Sequence, residues 1–196
     1  MWDQVRYGIQ GWPGSFNEHT IKKYIVDHEV TNTEIFYLFT TEHVFQSLER
    51  WEIDYGLFAI HNSAWSLVDE SLEAMSKYTF TICEQIETLI QHTLMKRKDT
   101  RLDQLTTIMA HPQVFFQCKE NLTIHYPHLT TKTGDWDFID TAKVAEALAH
   151  WELPHEYAVC GPEWLAELYD FDIVARNLQD LKEKNITKFL LVTSRE

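Results

Sequence analysis

The feature that most constrains this chain is a recurring unit: a short β-like run, a polar turn, then a run with helical spacing. Val5–Ile9 reads as a strand and Gly11-Trp12-Pro13-Gly14 as a turn. Ser15-Phe16-Asn17-Glu18 is a capping box, in which the serine hydroxyl takes an amide of the first helical turn and the glutamate reaches back. Ile21, Tyr24, Ile25 and His28 follow at helical spacing. Ile35–Phe39 leads into a helix carrying Val44, Phe45 and Leu48. Tyr55–Ile60 ends in the polar loop His61-Asn62-Ser63, ahead of a helix marked by Val68, Leu72 and Met75. Thr106–Met109, a break at His111-Pro112 and a helix over Gln113–Leu122 repeat the order. Thr141 opens another helix, Tyr157–Cys160 another strand, Gly161-Pro162 another helix start and Ile186–Val192 a last strand. Such alternation predicts an α/β fold with helices covering largely parallel sheets. Ligands of such folds sit where strands end and helices begin. Four polar turns answer that description: Gly11–Ser15, His61–Ser63, Ala110–Gln113 and Cys160–Pro162.

Charge narrows the partners. Among 196 residues, 30 are acidic and 17 basic, a formal net charge of −13. That field repels phosphate backbones and anionic lipid, so neither nucleic acid nor a membrane is an expected partner. The basic cluster Lys96, Arg97, Lys98 and Arg101 reads as a solvated loop. No apolar run approaches the roughly 18 residues of a membrane span, and Met1-Trp2-Asp3-Gln4 does not open a signal peptide. Cys83, Cys118 and Cys160 are odd in number and share no short spacing, which argues against a disulfide framework and for the cytoplasm. Cys118 reads as a buried structural thiol. In the cytoplasm the Asn-x-Thr triplets at Asn121 and Asn185 are coincidental. His125 with His128, and His150 with His155, lack acidic or thiol partners at ligand spacing, so no metal is expected. Without a G-x-S-x-G, a P-loop or a G-x-G-x-x-G, no nucleotide cofactor is expected either. Composition and spacing alone name no reaction.

Taken in order, however, the loops resemble one family, the prephenate dehydratase domain of phenylalanine biosynthesis. Tyr7-Gly8-Ile9-Gln10-Gly11-Trp12-Pro13-Gly14-Ser15-Phe16 looks like its opening strand and G-P-x-G-[ST]-[FY] turn. Val44-Phe45 and Asp54-Tyr55-Gly56-Leu57-Phe58-Ala59-Ile60-His61-Asn62-Ser63 resemble its A-D-Y-x-x-x-P-I-E-N-[ST] segment. His111-Pro112-Gln113-Val114-Phe115-Phe116-Gln117-Cys118 is similar to its S-H-P-Q-x-x-x-Q-C segment. Glu167-Leu168-Tyr169 and Asn185-Ile186-Thr187-Lys188-Phe189 resemble the late L-Y-G and N-x-T-R-F segments.

The resemblance implies two α/β lobes of the type-II periplasmic-binding-protein kind with the active site in the cleft between them. One lobe would take residues about 1–84 and 182–196, the other about 85–181. It implies a lyase that removes water and CO2 from prephenate to give phenylpyruvate, needs no cofactor, and forms a homodimer. Thr187 matches the family's essential threonine, with Asn62 and Gln117 as amide donors beside it. Ser15, Ser63, His61, Lys188, Phe189, Ala110 and His111 are the implied substrate contacts. Asn62 as a loop cap and Gln117 as a surface amide are the alternatives. Four positions depart from the pattern: Ala110 replaces a serine, His61 a glutamate, Lys188 an arginine and Trp12 a proline. Lys188, with His61 second, is the expected holder of a substrate carboxylate. Because the chain ends at Glu196, neither an ACT-type regulatory domain nor a chorismate mutase domain is expected in it. Two other readings stay open: a relative that decarboxylates prephenate or a similar acid without aromatising it, and a non-catalytic protein that binds a small carboxylate.

Overall fold

The computed structural model describes residues 4–194. In chain order the first elements are β1 (Val5–Ile9), α1 (Phe16–Asp27), β2 (Thr33–Tyr37), α2 (Thr41–Glu49), β3 (Tyr55–Asn62), β4 (Ser66–Leu67), α3 (Asp69–Met75) and β5 (Thr81–Leu89). Then come β6 (Thr93–Arg97), β7 (Thr107–Met109), α4 (Pro112–Gln117), α5 (Lys119–His125) and β8 (Thr130–Lys132). The last are α6 (Thr141–Ala149), β9 (Tyr157–Gly161), α7 (Trp164–Leu168), β10 (Phe171–Ala175) and β11 (Ile186–Thr193). They form two compact units. The first takes the chain up to Thr88 and from Ile186, the second Leu89–Asn185.

In the first unit the sheet runs β2-β1-β3-β11-β5, with β4 paired to β3. β1 is parallel to both its neighbours, whereas β11 is antiparallel to β3. Alternate residues of β11 therefore face two cores. Phe189 and Leu191 join Tyr7, Ile9, Ile21 and Leu57 on the α1 side. Leu190 and Val192 join Val44, Phe45, Leu48 and Phe58 on the other. Gly56 lets α2 lie close on β3: a Cβ there would stand 2.4 Å from Val44 Cγ1 and 3.1 Å from Leu48 Cδ1.

In the second unit the order is β10-β6-β9-β7-β8. β7 is parallel to β8 and β9, while β6 is antiparallel to β9 and β10. Both sheets are thus mixed, which corrects the expectation of largely parallel ones.

Two further expectations change. The helix predicted over Gln113–Leu122 is broken at Cys118. There Asp180 takes over: its N–H bonds Gln117 O at 2.7 Å, and its carboxylate accepts from Glu120 N and Asn121 N at 2.9 and 3.0 Å. A distant carboxylate thus starts α5 as a local cap would. The basic cluster is a solvated loop only in part, at the exposed Lys98 and Arg101. Lys96 and Arg97 lie in β6, Arg97 is buried, and Lys96, Arg97, Lys98 and Arg101 are paired with Asp172, Asp99, Asp170 and Asp103. Finally β5 and β6 carry too little regular alternation to stand out in the sequence.

The second unit encloses two histidines. His92, 2% exposed between β5 and β6, is pushed down to about 4 by burial, against a smaller opposing effect of its bond to Gln117. His111 is lowered to about 4 by burial as well.

Two outcomes follow from this packing. Gly56→Ala forces a methyl into the α2–β3 contact and should cost about 1–3 kcal/mol, read as a lower denaturant midpoint at unchanged slope. Because the folded chain keeps His92 neutral while the unfolded chain protonates it below about pH 6.5, stability present above that pH is lost as pH falls toward about 4. For His92 the loss is on the order of 3 kcal/mol, and His111 acts in the same direction. Denaturation curves across that interval should show the decline in wild type and a shallower one in His92→Gln.

Candidate active site

The turn after β1 is built for a helix start. Gly11 and Gly14 have φ of 94° and 88°, a region that favours glycine. Ser15 then caps α1, its Oγ accepting Glu18 N at 3.3 Å. Glu18 reaches Gly14 N at 2.6 Å, one residue beyond the cap itself, and its other oxygen takes Tyr37 Oη at 2.5 Å and Lys22 at 2.6 Å. Burial pushes the Glu18 carboxyl up, but Lys22, Tyr37 and the Gly14 amide outweigh it and hold it below its ordinary value. Glu18 is thus spent on the turn. Ser15, nearly buried, only accepts in this bond, which leaves its hydroxyl proton uncommitted to Glu18.

At the same carboxyl end of the sheet β3 stops where β11 starts, and Asn62 lies opposite Thr187. Both are buried, at 2% and 8% exposure. The Asn62 Nδ2 donates to Thr187 Oγ1 at 2.9 Å, while its Oδ1 accepts Ala64 N and Trp65 N at 2.9 and 3.2 Å. Asn62 therefore caps the loop with one end and orients the threonine with the other. Thr187 accepts in that bond, so its own O–H points elsewhere, and no acceptor for it stands among the described residues. Ser63 closes the corner: its hydroxyl donates to Ile186 O and accepts Ile186 N, both at 2.9 Å. Its hydrogen bonding is committed to the strand end.

The neighbours of this pair turn away. Lys188 is opposite His61, and the register shifts between Lys188 and Phe189, where β3 carries one extra residue. Cross-strand partners share a face and successive residues alternate, so Lys188 and His61 lie on the face opposite Thr187 and Asn62. Lys188 is ion-paired with Glu87 at 3.2 Å, both half exposed. Phe189 is 1% exposed within the α1-side core. Of the expected contacts, Lys188 and His61 thus lie on the other face from Thr187, and Phe189, two residues on along β11, is packed in the α1-side core.

In the second unit β7 ends at Met109, and Ala110 just after it is fully buried in an apolar cluster with Val114, Cys118 and Cys160. Its methyl is part of that core. His111 caps α4: its Nδ1 accepts Gln113 N at 3.1 Å, and its own N–H donates to Thr141 Oγ1 at 3.0 Å. With Nδ1 accepting, the neutral ring carries its proton on Nε2. Gln117, one turn on, is only 5% exposed, which excludes a surface amide. Its Oε1 accepts His92 Nε2 at 2.7 Å and Asn185 Nδ2 at 2.8 Å. Cys118 and Cys160 are buried, and the Cys118 thiol is pushed up by its neighbour Cys160 and by burial.

His92 and Asn185 are the residues that sequence reasoning passes over. Asn185 stands two before Thr187 inside a recognised segment, yet spacing assigns it no partner. His92 is one histidine among ten, unmarked until the fold sets it under α4. Among the described residues no group of three or more His, Cys, Asp or Glu side chains gathers as a metal site. Each unit presents neutral groups: in the first the hydroxyls of Thr187 and Ser15 and the Asn62 amide, in the second the Gln117 amide and the His111 imidazole. None of these is a strong acid.

Comparison with known proteins bears on which chemistry this is. The family model for prephenate dehydratase matches residues 7–196. Arogenate dehydratase/prephenate dehydratase 2 of Arabidopsis thaliana is 26% identical over 189 residues, covering 96% of this chain and 46% of that protein. The bifunctional chorismate mutase/prephenate dehydratase of Stutzerimonas stutzeri is 24% identical over 192 residues, covering 98% and 49%. The chain spans about half the length of the curated relatives it matches. In fold it is similar to a prephenate dehydratase from Arthrobacter aurescens solved with L-Phe, at a TM-score of 0.85 and 21% identity, covering 98% of this chain and 61% of that one. It is also similar to GqqA, described as a quorum quenching acylase, at 0.74 and 20% identity, covering 97% and 64%. Fold alone therefore does not decide the reaction, but the match in sequence runs almost from end to end, and the chain belongs to the prephenate dehydratase family.

Proposed function

We propose that this chain catalyses the loss of water and CO2 from prephenate to give phenylpyruvate. The observation that carries this reading is the Asn62–Thr187 pair, a buried hydroxyl held as an acceptor by an amide so that its proton is aimed outward. In the reaction the ring C–O bond breaks, the carboxylate on the opposite ring carbon leaves as CO2, and its bonding electrons complete the aromatic ring. The departing oxygen gathers negative charge as it goes, and a proton taken from solvent completes it as water. A threonine hydroxyl is too weak an acid to surrender its proton outright, but it stabilises that charge with a hydrogen bond that strengthens in the transition state. Asn62 acts by fixing the donor before the charge appears. Gln117 and His111 supply N–H donors for a carboxylate oxygen, and the Ser15 hydroxyl does the same at the start of α1.

A second substrate is favoured by one specific observation. Lys188, the expected cation, pairs with Glu87, and Arg6 of the same sheet pairs with Asp54. Prephenate brings two carboxylates to a chain of net charge −13. Arogenate replaces the keto group by an ammonium, bringing one negative charge less, and several relatives are named arogenate dehydratases. The protein is read as a cytoplasmic one that binds a small acid from a solution pool, with the two units as its lobes and a second copy as its partner.

Incubating the purified protein with prephenate or arogenate and following the aromatic product tests the reading. Phenylpyruvate or phenylalanine supports it; a non-aromatic decarboxylated product, or tight binding without turnover, overturns it. Thr187→Val should lower turnover by at least ~10²-fold with little change in the dissociation constant, the usual cost of one transition-state donor. Lys188→Ala should leave that constant within about 2-fold, because it removes only a half-exposed pair. A large loss of affinity would return Lys188 to the site.

A further inference from the structure

Gln117 stands on a chain of hydrogen bonds in which every direction is determined. Asn185 is fully buried and its Nδ2 donates to Ile90 O at 3.1 Å, while Ile90 N donates back to Asn185 O at 2.8 Å. A backbone carbonyl only accepts, so the Asn185 amide has its nitrogen on this side. The second proton of that nitrogen meets Gln117 at 2.8 Å, and Gln117 must answer with its oxygen. The same oxygen lies 2.7 Å from His92 Nε2, so that nitrogen also carries a proton. The His92 ring is neutral, held so by burial, and a neutral ring has one N–H to give. Two donors thus converge on Gln117 Oε1, and its Nε2 is left facing away from both. No acceptor for that nitrogen stands among the described residues.

We propose that His92 and Asn185 are positioning residues that lock the Gln117 amide with its nitrogen toward the ligand, so that Gln117 recognises only a hydrogen-bond acceptor such as a carboxylate or keto oxygen. The inference rests on the reading of Gln117 as a ligand contact. An unlocked glutamine presents oxygen or nitrogen with equal ease and discriminates poorly between an acceptor and a donor. Here, turning the amide over would set its two protons against those of His92 and Asn185 in a buried place, where an unmade hydrogen bond is costly. Asn185 is two residues before Thr187, so one short segment carries both the lock of this amide and the reacting hydroxyl.

The resting protein gives the first test. With 15N-labelled histidine, NMR should show His92 as the Nε2–H tautomer; an Nδ1–H tautomer would mean that Gln117 is reversed and would end the proposal. Asn185→Asp keeps the shape but replaces a donor by an acceptor. It should swing Gln117 over, move His92 to the Nδ1–H tautomer and raise KM roughly 10-fold or more, with kcat within about 3-fold. His92→Leu, which deletes a donor without touching the Ile90 pairing, should also raise KM. His92→Gln, which restores a donor, should recover most of it. If both folded Asn185→Asp and His92→Leu keep the wild-type KM while Thr187→Val still loses turnover, the positioning role is wrong and the proposed function stands. If the wild type turns over neither acid, the function fails, and the tautomer measurement still decides the amide's direction.

Discussion

The antiparallel pairing of β11 with β3 is the constraint on which the first unit and its reactive pair both depend. One strand places Phe189 and Leu191 in the α1-side core and Leu190 and Val192 in the other, so its register cannot slip without turning four large side chains out of their packing. That same register sets Thr187 opposite Asn62 at the strand's first turn out of the core. Hydrophobic burial therefore locates the hydroxyl, and a single amide then aims it. Ser63, gripping both polar groups of Ile186, stops the strand end from fraying where this alignment is needed.

The electrostatic character follows from a different economy. The chain is strongly acidic, and the basic residues in question are tied to carboxylates: Lys96 to Asp172, Arg97 to Asp99, Lys188 to Glu87. Asn62, Thr187 and Gln117 are themselves uncharged and held in direction by hydrogen bonds to their neighbours. Fixed dipoles need no reorganisation when charge develops on a departing oxygen, an advantage that a mobile lysine at the surface would not share.

Much of the site was legible because turn chemistry is local. Ser15 with Glu18, and Pro112 after His111, announce helix starts, and the ordered segments carrying Asn62, Gln117 and Thr187 point to the family. What was not legible depends on residues far apart in the chain. No local pattern says that β3 holds an extra residue opposite Lys188, and that irregularity decides which face Lys188 and His61 occupy. The break at Cys118 comes from Asp180, and the direction of Gln117 from His92 and Asn185. Ala110 looked like a lost polar contact in a ligand turn, but the turn begins one residue later and the methyl is core.

The insertion of β11 between β3 and β5 has a consequence in time. The second unit is one uninterrupted stretch, Leu89–Asn185, and can condense as soon as it has been synthesised. The first unit cannot, because an inner strand of its sheet, Ile186–Thr193, is made after everything else described here. Until then β3 and β5 wait with facing edges unpaired and with two large side chains missing from each core, the kind of species prone to aggregate. The contact that closes this gap spans more than a hundred residues of chain, which makes it the slow step expected of non-local pairing. A nascent chain thus lacks the Asn62–Thr187 pair until β11 has been made and has entered the sheet of the first unit.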